Sequence, residues 1–552
     1  MSKVVLLAIN AKYVHSSLAV WVLAGGISKH ARLPHDVHVV ESTINRRATE
    51  IADVVAAYSP DVIGVSTYIW NAGVLPVILA LLREKLPEAV IVLGGPEASF
   101  NAAYWLSCGA DHVLQGEGEI SFARFLDTLA IQGTQGDGTQ GDGSVVFARE
   151  HNRTVPLCSV PLCCSLCSPC TDEYIAALDG RIAYLETSRG CPFHCAFCLS
   201  AGSGVRFLDV ETAKEWLRKL SVSGARTIKM VDRTFNCDAK RAYELFEYVI
   251  GLETNSRFHF EVAADLFDER TLKLLGTAPP GRIQLEAGLQ SFFLPALEAS
   301  YRKTDLERSE LCIKTLHDGR NIHLHVDLIA GLPYETLHDF KNSFDRAYSL
   351  GAHTLQLGFL KLLHGSALRE KAASLGIIYS SDAPYEIQSS PWLSAGDIQI
   401  LKHTENSLQH TYNKGRFLSV LEYVLSVSNL RPFSLFFKLG EEAPNHGIDL
   451  AAYARLVFDI CALLPGVDEK ELRDKMVRDW LGMVKGKNMP DFMRNPDDRK
   501  GRALKLAQRR LGHGLRREEA AILLSGKAVF VDSNDRDPVT GSYRIYEVEI
   551  RE

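Results

Sequence analysis

Three cysteines with a short, regular spacing carry the clearest chemistry in this sequence. Cys191, Cys195 and Cys198 form a C-x3-C-x2-C triplet, with Phe197 directly before the last cysteine. The triplet follows a strand-like segment and is expected in a tight loop. Three thiolates can bind three irons of a cubane cluster and leave the fourth iron open to substrate chemistry, whereas four cysteines would close the site. The alternatives are a zinc knuckle or three unrelated thiols.

The spacing and Phe197 resemble the signature of the radical S-adenosylmethionine superfamily. The resemblance implies a [4Fe-4S] cluster whose open iron binds the amino acid end of S-adenosylmethionine. It also implies that electron transfer cleaves this cofactor to a 5′-deoxyadenosyl radical. Phe197 is then a candidate cofactor-binding residue.

Strand-like runs alternating with helical segments predict a partial (β/α)6 barrel of the TIM type over residues 173–384, with chemistry at the carboxyl ends of its strands. The predicted strands are Ile182–Thr187, Thr227–Val231, Phe258–Ala263, Arg282–Glu286, Leu324–Ile329 and Thr354–Leu360. Asp232 follows the second strand, where the superfamily often has Gly-Gly-Glu to hold the amino group of the cofactor. This chain lacks that motif, and either the carboxylate of Asp232 or the adjacent polar backbone takes the role. Asp232 and Glu286, at the end of the fourth strand, are the candidate catalytic residues.

Two later strands carry further resemblances. The run Glu286-Ala-Gly288-Leu-Gln290-Ser291 resembles the Glu-x-Gly-x-Gln-Ser run of the coproporphyrinogen-oxidase-like branch. It implies that Glu286 faces the adenosyl ribose and that Gln290 is near the cofactor; the alternative is a buried structural carboxylate.

Asp327 begins a run similar to the Asp-x-Ile-x-Gly-x-Pro-x-Glu motif of the same branch and is a further cofactor candidate. Glu335, at the end of that run, is either a ligand contact or a helix-start residue. Lys361 and His364 follow the sixth strand, and they either reach the active site or are satisfied polar residues.

The first 132 residues alternate apolar runs with helical patterns, which predicts a doubly wound, Rossmann-like α/β domain. The predicted strands are Lys3–Ile9, Val37–Glu41, Val62–Ser66, Val90–Leu93 and His112–Leu114. Such sheets bind ligands at the carboxyl ends of their strands. The candidate ligand-binding residues there are Asn10, His15, Ser66, Thr67, Gly94, Gly95, Gly116, Glu117 and Gly118.

Taken alone, these loops are a weak signal for a nucleotide or a phosphate. In front of a radical enzyme, the Leu-Gly-Gly-Pro and Gly-Glu-Gly-Glu elements resemble the cobalamin-binding domain that precedes many radical S-adenosylmethionine barrels. The Asp-x-His-x-x-Gly motif that supplies an axial imidazole in other cobalamin proteins is absent. His15 is either an axial ligand or a structural loop histidine. We expect cobalamin to bind with its own base displaced and without a protein imidazole.

The remaining segments are less informative. Residues 133–172 begin with a Gly/Thr/Gln repeat that predicts a flexible linker. Its cysteines either bind a second metal centre or belong to an idiosyncratic linker: Cys158, Cys163, Cys164, Cys167 and Cys170. Residues 385–552 show amphipathic patterns and predict a mainly helical domain. Its basic stretch 470–527 is a solvated face in our interpretation, with nucleic acid as the less favoured alternative. The order of modules resembles a subfamily whose C-terminal domain has no assigned function.

Composition agrees with an ordinary enzyme. The 552 residues are 46% hydrophobic and 23% charged, with a formal net charge of −6. No run of 18 apolar residues occurs, so we expect no membrane partner. The opening residues lack the regions of a secretion signal, and the 12 cysteines are therefore interpreted as ligands or buried thiols. We predict a cytoplasmic enzyme.

The favoured hypothesis is a cobalamin-dependent radical S-adenosylmethionine enzyme that methylates an unactivated carbon. A second hypothesis keeps the radical step but gives rearrangement or cyclisation without methyl transfer. A third is a non-catalytic carrier or sensor that binds corrinoid and iron–sulfur cluster. We expect a reducing partner such as flavodoxin or ferredoxin, and the substrate cannot be inferred from the sequence.

Overall fold

The computed structural model describes residues 1–132, 141–148, 154–158, 166–443, 447–485, 489–496, 499–512 and 514–549. Cys163, Cys164, the side chain of Cys158 and residues 133–140 of the predicted linker lie outside this description. The chain forms two compact units. The first comprises Met1–Val262 and Lys361–Ile387, and the second comprises Ala263–Leu360 and Gln388–Glu552. The unit boundaries therefore cut through the predicted barrel segment 173–384.

The first unit begins with a parallel sheet, and the predicted Rossmann-like fold is confirmed. Its first five strands are Ser2–Asn10, His35–Thr43, Val62–Ser66, Val90–Gly94 and His112–Leu114. Their spatial order is second, first, third, fourth, fifth. The accompanying helices are Leu18–His30, Ala48–Ala56, Leu75–Lys85, Pro96–Phe100, Ala102–Ser107 and Gly118–Gln132. Every side chain of the strand Val62–Ser66 is buried, as expected where helices cover both faces of a sheet.

Two strands that the sequence analysis did not predict extend this sheet in antiparallel fashion. They are Gly141–Ala148 and Thr154–Cys158, and the first pairs with His112–Leu114. Both fall in the segment assigned to a flexible linker, so that assignment is wrong at these two strands.

Three predicted barrel strands also belong to the first unit. Ile182–Leu185, Thr227–Met230 and Arg257–Val262 pair in parallel, with Thr227–Met230 in the middle. The helices Val210–Ser221 and Ala239–Gly251 connect them, and the carboxylates of Asp209 and Asp238 cap the two helix N-termini. A short helix, Asp172–Ala176, precedes the first strand, and a 3-10 turn, Phe235–Cys237, follows the second.

The last part of the first unit comes from residues 361–387, which we call the bracket. It contains the helix Ala367–Lys371 and the strand Ile378–Tyr379, and the chain leaves it through the strand Ile387–Ser389. Ala383 packs against the apolar core of the N-terminal sheet.

The second unit contains the other three predicted barrel strands, again in parallel: Ile283–Gln290, His323–Ala330 and Thr354–Phe359. Its connecting helices are Glu269–Leu275, Leu294–Ala299, Leu306–Asp318 and Leu337–Tyr348, with a 3-10 turn at Ala264–Leu266. Burial alternates strictly along the first two strands. Leu285, Ala287 and Leu289 are buried on one face, so the polar residues between them share the opposite, half-buried face.

The C-terminal residues of the second unit are mainly helical, as predicted. The helices are Ala395–His410, Leu418–Val427, Pro432–Glu441, Leu450–Ala462, Glu469–Met483 and Lys500–Leu511, with 3-10 turns at Tyr412–Lys414, Asp491–Met493 and Arg517–Glu519. An antiparallel sheet that was not predicted ends the domain, with strands Ala520–Ile522, Lys527–Arg536 and Tyr543–Glu549. Across the described ranges, we find no helix with the length and apolar character needed to span a membrane.

Candidate functional site

The three predicted metal ligands share one loop in the first unit. The two-residue strands Ser188–Arg189 and Arg206–Phe207 pair in antiparallel fashion and close the loop that holds the triplet. Cys191 and Cys195 are buried, and Cys198 is half-buried. The backbone N–H of Cys198 donates to the Cys195 carbonyl at 3.0 Å, which makes the tight turn that the spacing predicted.

The donor set fits an iron–sulfur cluster. Burial raises the pKa of the Cys198 thiol, and a hydrogen bond from the Ser200 N–H at 3.4 Å and the Arg233 charge act in the opposite direction. Among the described residues, no three His, Cys, Asp or Glu side chains converge on a single metal ion. Three thiolates on one short loop are the donor set of a cluster that keeps its fourth iron open.

Asp232 does not have the ligand-facing environment that the sequence analysis predicted. The residue is 1% exposed. Its carboxylate accepts hydrogen bonds from the Thr187 N–H at 3.0 Å, the Thr187 hydroxyl at 2.8 Å and the Ser188 hydroxyl at 2.5 Å. These groups lie on the segment that enters the cysteine loop. The hydrogen bonds therefore argue for a positioning role in place of the predicted catalytic one.

Arg189 ties the entrance of the cysteine loop to the N-terminal domain. Its guanidinium lies 3.0 Å from the Glu117 carboxylate, 2.5 Å from Glu119 and 2.6 Å from Glu186. Arg206, across the hairpin, also pairs with Glu117. Burial alone would lower the pKa of Arg189, but its hydrogen bonds with Glu186 and the attraction of Glu119 raise it. Glu117, predicted to bind cofactor, is thus occupied by two arginines of the cysteine-loop hairpin.

The predicted cobalamin loops converge at the carboxyl ends of the parallel strands. Thr67 is fully buried, and its hydroxyl donates to the Gly94 carbonyl at 2.5 Å and accepts from the Ala98 N–H at 3.1 Å. Gly95 has φ +101°, and a Cβ there would overlap the Thr67 backbone. The ends of the third and fourth strands are therefore held in contact.

The other predicted residues at this edge also use their polar groups within the chain. The Ser66 carbonyl accepts from the Asn71 amide at 3.0 Å. Gly116 has positive φ, and Gly118 packs against Leu23. Their direct contact with a cofactor stays a prediction.

Asn10 and His15 are used to fasten the first loop. The Asn10 amide donates to the His15 carbonyl at 3.0 Å. His15 Nδ1 lies 2.6 Å from the Tyr184 hydroxyl, on the first barrel strand, and Ser16 donates to the Ile182 carbonyl at 2.8 Å. Burial, helped by nearby cations, lowers the pKa of His15. Of the two roles left open for His15, the structural one has these contacts in its favour.

An aromatic pair at the same edge was missed by the sequence analysis. Tyr68 and Trp70 follow the third strand and stack with ring centroids 4.2 Å apart and planes 7° apart. Trp70 Nε1 donates to the Ile9 carbonyl at 3.1 Å, yet the residue is 44% exposed. A fixed, solvent-facing indole suits contact with a flat macrocycle. The sequence analysis selected the adjacent Ser66 and Thr67 as polar residues and did not consider the two rings.

In the second unit, the predicted S-adenosylmethionine residues share the half-buried strand face. Glu286, Gly288 and Gln290 alternate along Ile283–Gln290, and Gly288 stands beside Asp327 on the next strand. Glu286 stands beside His325, which adds a histidine that the sequence analysis did not single out. Carboxylates and an imidazole on an accessible sheet face can bind the hydroxyl and amine groups of a polar ligand.

The side chains of Glu335 and His364 contact other residues of the chain. Glu335 is 0% exposed, and its carboxyl accepts hydrogen bonds from Ser291 at 2.5 Å and Ser343 at 3.2 Å. Burial raises its pKa to about 7. His364 Nε2 lies 3.4 Å from the Asn101 amide within the first unit. Glu335 directly precedes Thr336, the N-cap of the helix Leu337–Tyr348, as in the helix-start alternative. His364 has the contacts of the satisfied polar alternative.

Two further cysteines lie near these elements. Cys237, at the end of the 3-10 turn after the second barrel strand, has its pKa raised by burial and by the charge of Cys191. Cys167 Sγ lies 3.5 Å from His30 Nε2. Neither cysteine belongs to a metal-binding pattern that the sequence analysis could assign.

Three family models match the chain in consecutive segments. The B12 binding domain matches residues 4–126, the Radical SAM superfamily matches residues 185–347, and a protein of unknown function (DUF4080) matches residues 373–513. The chain therefore contains a B12-binding domain and a radical SAM domain.

Two known proteins that resemble this chain are named as methyltransferases. It is 26% identical over 327 residues to the 2-(S-pantetheinyl)-carbapenam-3-carboxylate methyltransferase of Streptantibioticus cattleyicolor, covering 53% of this chain and 46% of that protein. It is 25% identical to an uncharacterised methyltransferase of Pyrococcus horikoshii, covering 64% and 78% respectively. The chain thus spans about half the length of the first of these relatives.

The fold is similar to that of OxsB, a cobalamin-dependent S-adenosylmethionine radical enzyme solved with aqua-cobalamin and S-adenosylmethionine bound. The TM-score is 0.60 at 15% identity, over 86% of this chain and 78% of that one. The similarity supports the predicted fold class for both the N-terminal domain and the barrel strands.

Proposed function

We propose that this protein is a cobalamin-dependent radical S-adenosylmethionine methyltransferase that methylates an unactivated carbon. The observation that carries the proposal is the junction around Arg189, where a residue two positions before Cys191 is ion-paired to Glu117 and Glu119 of the B12-binding domain. When bound, the cluster and S-adenosylmethionine supply a 5′-deoxyadenosyl radical, and methylcobalamin supplies the methyl group.

The residues of the chain would hold these groups and exclude competing reactions. Cys191, Cys195 and Cys198 would bind the cluster in a largely buried loop, which limits access of water and oxygen. Glu286 would accept hydrogen bonds from the adenosyl ribose, with Asp327 beside Gly288 on the same face. The Gly94–Gly95 loop and Trp70 would contact the corrin, with no imidazole on the cobalt.

The test is product analysis after anaerobic reconstitution with iron, sulfide and hydroxocobalamin. Incubation with S-adenosylmethionine and a strong reductant should give both 5′-deoxyadenosine and S-adenosylhomocysteine, because methylation consumes one molecule by cleavage and one by demethylation. Deoxyadenosine without S-adenosylhomocysteine or methylcobalamin would replace methyl transfer with radical rearrangement. Neither product from a protein that binds both cofactors would indicate a carrier or sensor.

A low-potential electron donor is required for the cleavage, and we propose flavodoxin or ferredoxin acting in the cytoplasm. The described cysteines are not joined in disulfides, which agrees with a reducing compartment. Replacing the chemical reductant by reduced flavodoxin should sustain deoxyadenosine formation, and no turnover with either protein would exclude this class of partner.

A further inference from the structure

The bracket, residues 361–387, contacts both predicted cofactor loops of the first unit. At one end, the backbone N–H of Leu368 donates to the Ala196 carbonyl at 2.8 Å, inside the cysteine triplet. At the other, Tyr385 donates to the carboxylate of Glu97, two residues after Gly95. The bracket thus joins the loop of the cysteine triplet, which we call the cluster loop, to the loop of Gly95 and Glu97, which we call the corrinoid loop.

The Tyr385–Glu97 hydrogen bond is buried and reinforced. Both residues are 5% exposed. Burial raises the pKa of Glu97, while the hydrogen bond from Tyr385 and the charge of Arg369 act against that rise. A buried carboxyl without a partner is costly, so loss of the Tyr385 hydroxyl should release the Glu97 segment.

Other contacts hold the bracket in shape around this bond. The Arg369 guanidinium lies 4.9 Å from the Tyr385 ring centroid and 5.1 Å from that of Tyr379. The His364 ring meets Tyr385 edge-on at 4.9 Å. The Leu362 N–H donates to the Tyr385 carbonyl at 2.9 Å.

The bracket also fits closely against the segment that follows Glu97. A Cβ at Gly365 would overlap the Phe100 ring, so only glycine allows this approach. Asn101, next along the chain, faces His364 at 3.4 Å. Residues Glu97, Phe100 and Asn101 are therefore all held by the bracket.

We propose that the bracket is a positioning device that fixes the corrinoid loop relative to the cluster loop, with Tyr385 as its principal positioning residue. The proposal rests on the proposed function, because it concerns the relative placement of the two cofactors. It gives a role to a segment that begins after the sixth barrel strand and runs into the domain of unknown function.

The experiment uses the full chain reconstituted with iron, sulfide and hydroxocobalamin, and compares Tyr385→Phe with Tyr379→Phe. Tyr379 is a matched control because it shares the Arg369 contact, whereas the hydrogen bond to Glu97 belongs to Tyr385. Tyr385→Phe should weaken hydroxocobalamin binding about fivefold to tenfold, without changing iron content or S-adenosylmethionine affinity. It should also change the magnetic coupling between cob(II)alamin and the reduced cluster in EPR spectra, which reports their separation. Tyr379→Phe should change neither.

Glu97→Ala and the double variant Glu97→Ala/Tyr385→Phe complete a double-mutant cycle, because alanine has no acceptor for the Tyr385 hydroxyl. The double variant should bind hydroxocobalamin no more weakly than the weaker-binding single variant, since both changes break one bond. Strictly additive losses, or wild-type affinity and coupling in Tyr385→Phe, would overturn the positioning role while leaving the proposed function intact.

Absence of hydroxocobalamin binding by the wild-type protein would instead refute the proposed function. The bracket is then tested by hydrogen exchange on the corrinoid-free chain. Tyr385→Phe should speed exchange in residues 95–101 and leave the N-terminal strands unchanged. Equal exchange in both proteins would again overturn the proposal.

Discussion

The entrance of the cysteine loop and the open face of the later barrel strands use polar residues in opposite ways. Around the loop, Asp232 is buried and Arg189 is half-buried, and their polar atoms bond to other parts of the chain. On the face of Ile283–Gln290 and His323–Ala330, Glu286 and Asp327 are half-buried beside a histidine and a glycine. The polar residues of the first region fasten the cysteine loop to other parts of the chain, and those of the second line a half-buried strand face.

This difference separates two kinds of carboxylate that look alike in sequence. A buried carboxylate that accepts three hydrogen bonds from its own chain has little capacity left for a ligand. Glu286 and Asp327 instead lie on the half-buried face of two alternating strands. Substitutions in the two regions should therefore fail in different ways: loss of the loop and its cluster in the first, loss of S-adenosylmethionine affinity in the second.

The largest effect is expected in the first region, at the triplet. Cys191→Ala should remove the broad visible absorbance of the cluster and abolish 5′-deoxyadenosine formation, because a lost thiolate leaves an iron without its protein ligand. Cys237→Ala is the matched control, since the Cys237 thiol is half-buried and its pKa is raised by the charge of Cys191, but it lies outside the triplet. Iron content, absorbance and product yield measure the outcome. Equal loss of iron in Cys237→Ala would show a closed, four-cysteine site.

In the second region, Glu286→Ala should weaken S-adenosylmethionine binding at least about tenfold while the cluster remains assembled. Two charge-assisted hydrogen bonds from ribose hydroxyls contribute roughly 1.5–3 kcal/mol each. Gln284→Ala, on the same strand and face but nearer the strand start, should leave affinity unchanged. Calorimetric titration of the reconstituted proteins with S-adenosylmethionine measures these affinities. An unchanged affinity in Glu286→Ala would show that Glu286 does not bind S-adenosylmethionine. The second region would then have no ligand-binding role at this residue.

The elements of both regions could be predicted from sequence because their signals are local. Apolar runs gave the parallel strands, and the cysteine spacing gave the loop. The terminal antiparallel sheet had a usable signal as well, the short apolar run Ala528–Val531, but the basic stretch before it directed attention to helices.

The partners of polar residues could not be predicted in the same way. The sequence around Asp232 is the same whether its carboxylate faces a ligand or the segment before the cysteine loop, so the sequence cannot distinguish the two. Tyr385 meets Glu97 across 288 residues of sequence, and no periodicity encodes such a contact. Arg189 is one of 61 basic residues, and only the fold shows that three carboxylates surround it.

A buried carboxyl next to the second region provides a pH-dependent comparison. The folded protein keeps a proton on Glu335 up to a pKa of about 7, whereas its ordinary value is 4.5. The unfolded chain releases that proton earlier, so this residue costs increasing stability as pH rises from about 4.5 to about 7 and a constant amount above. Glu335→Gln should therefore gain stability relative to wild type across this window, on the order of 3 kcal/mol.

Melting temperatures at pH 5, 6, 7 and 8 measure that gain. The exposed Glu298→Gln serves as the control and should show no trend, because its carboxyl is solvated in both states. A difference between Glu335→Gln and wild type that stays constant with pH would mean that Glu335 is ionised in the folded protein.

The smallest effect is expected at His15, which belongs with the positioning residues of the first region. His15→Ala removes the hydrogen bond to Tyr184, a loss of about 1 kcal/mol in stability. The visible spectrum of bound cobalamin should remain that of a base-off corrinoid, because the imidazole is directed to the tyrosine hydroxyl. Tyr184→Phe removes the same bond and leaves the imidazole in place, so it separates the two roles. A nitrogen superhyperfine pattern in the Co(II) EPR spectrum that survives in Tyr184→Phe and disappears in His15→Ala would make His15 an axial ligand, and would move it from the positioning residues to the ligand-binding ones.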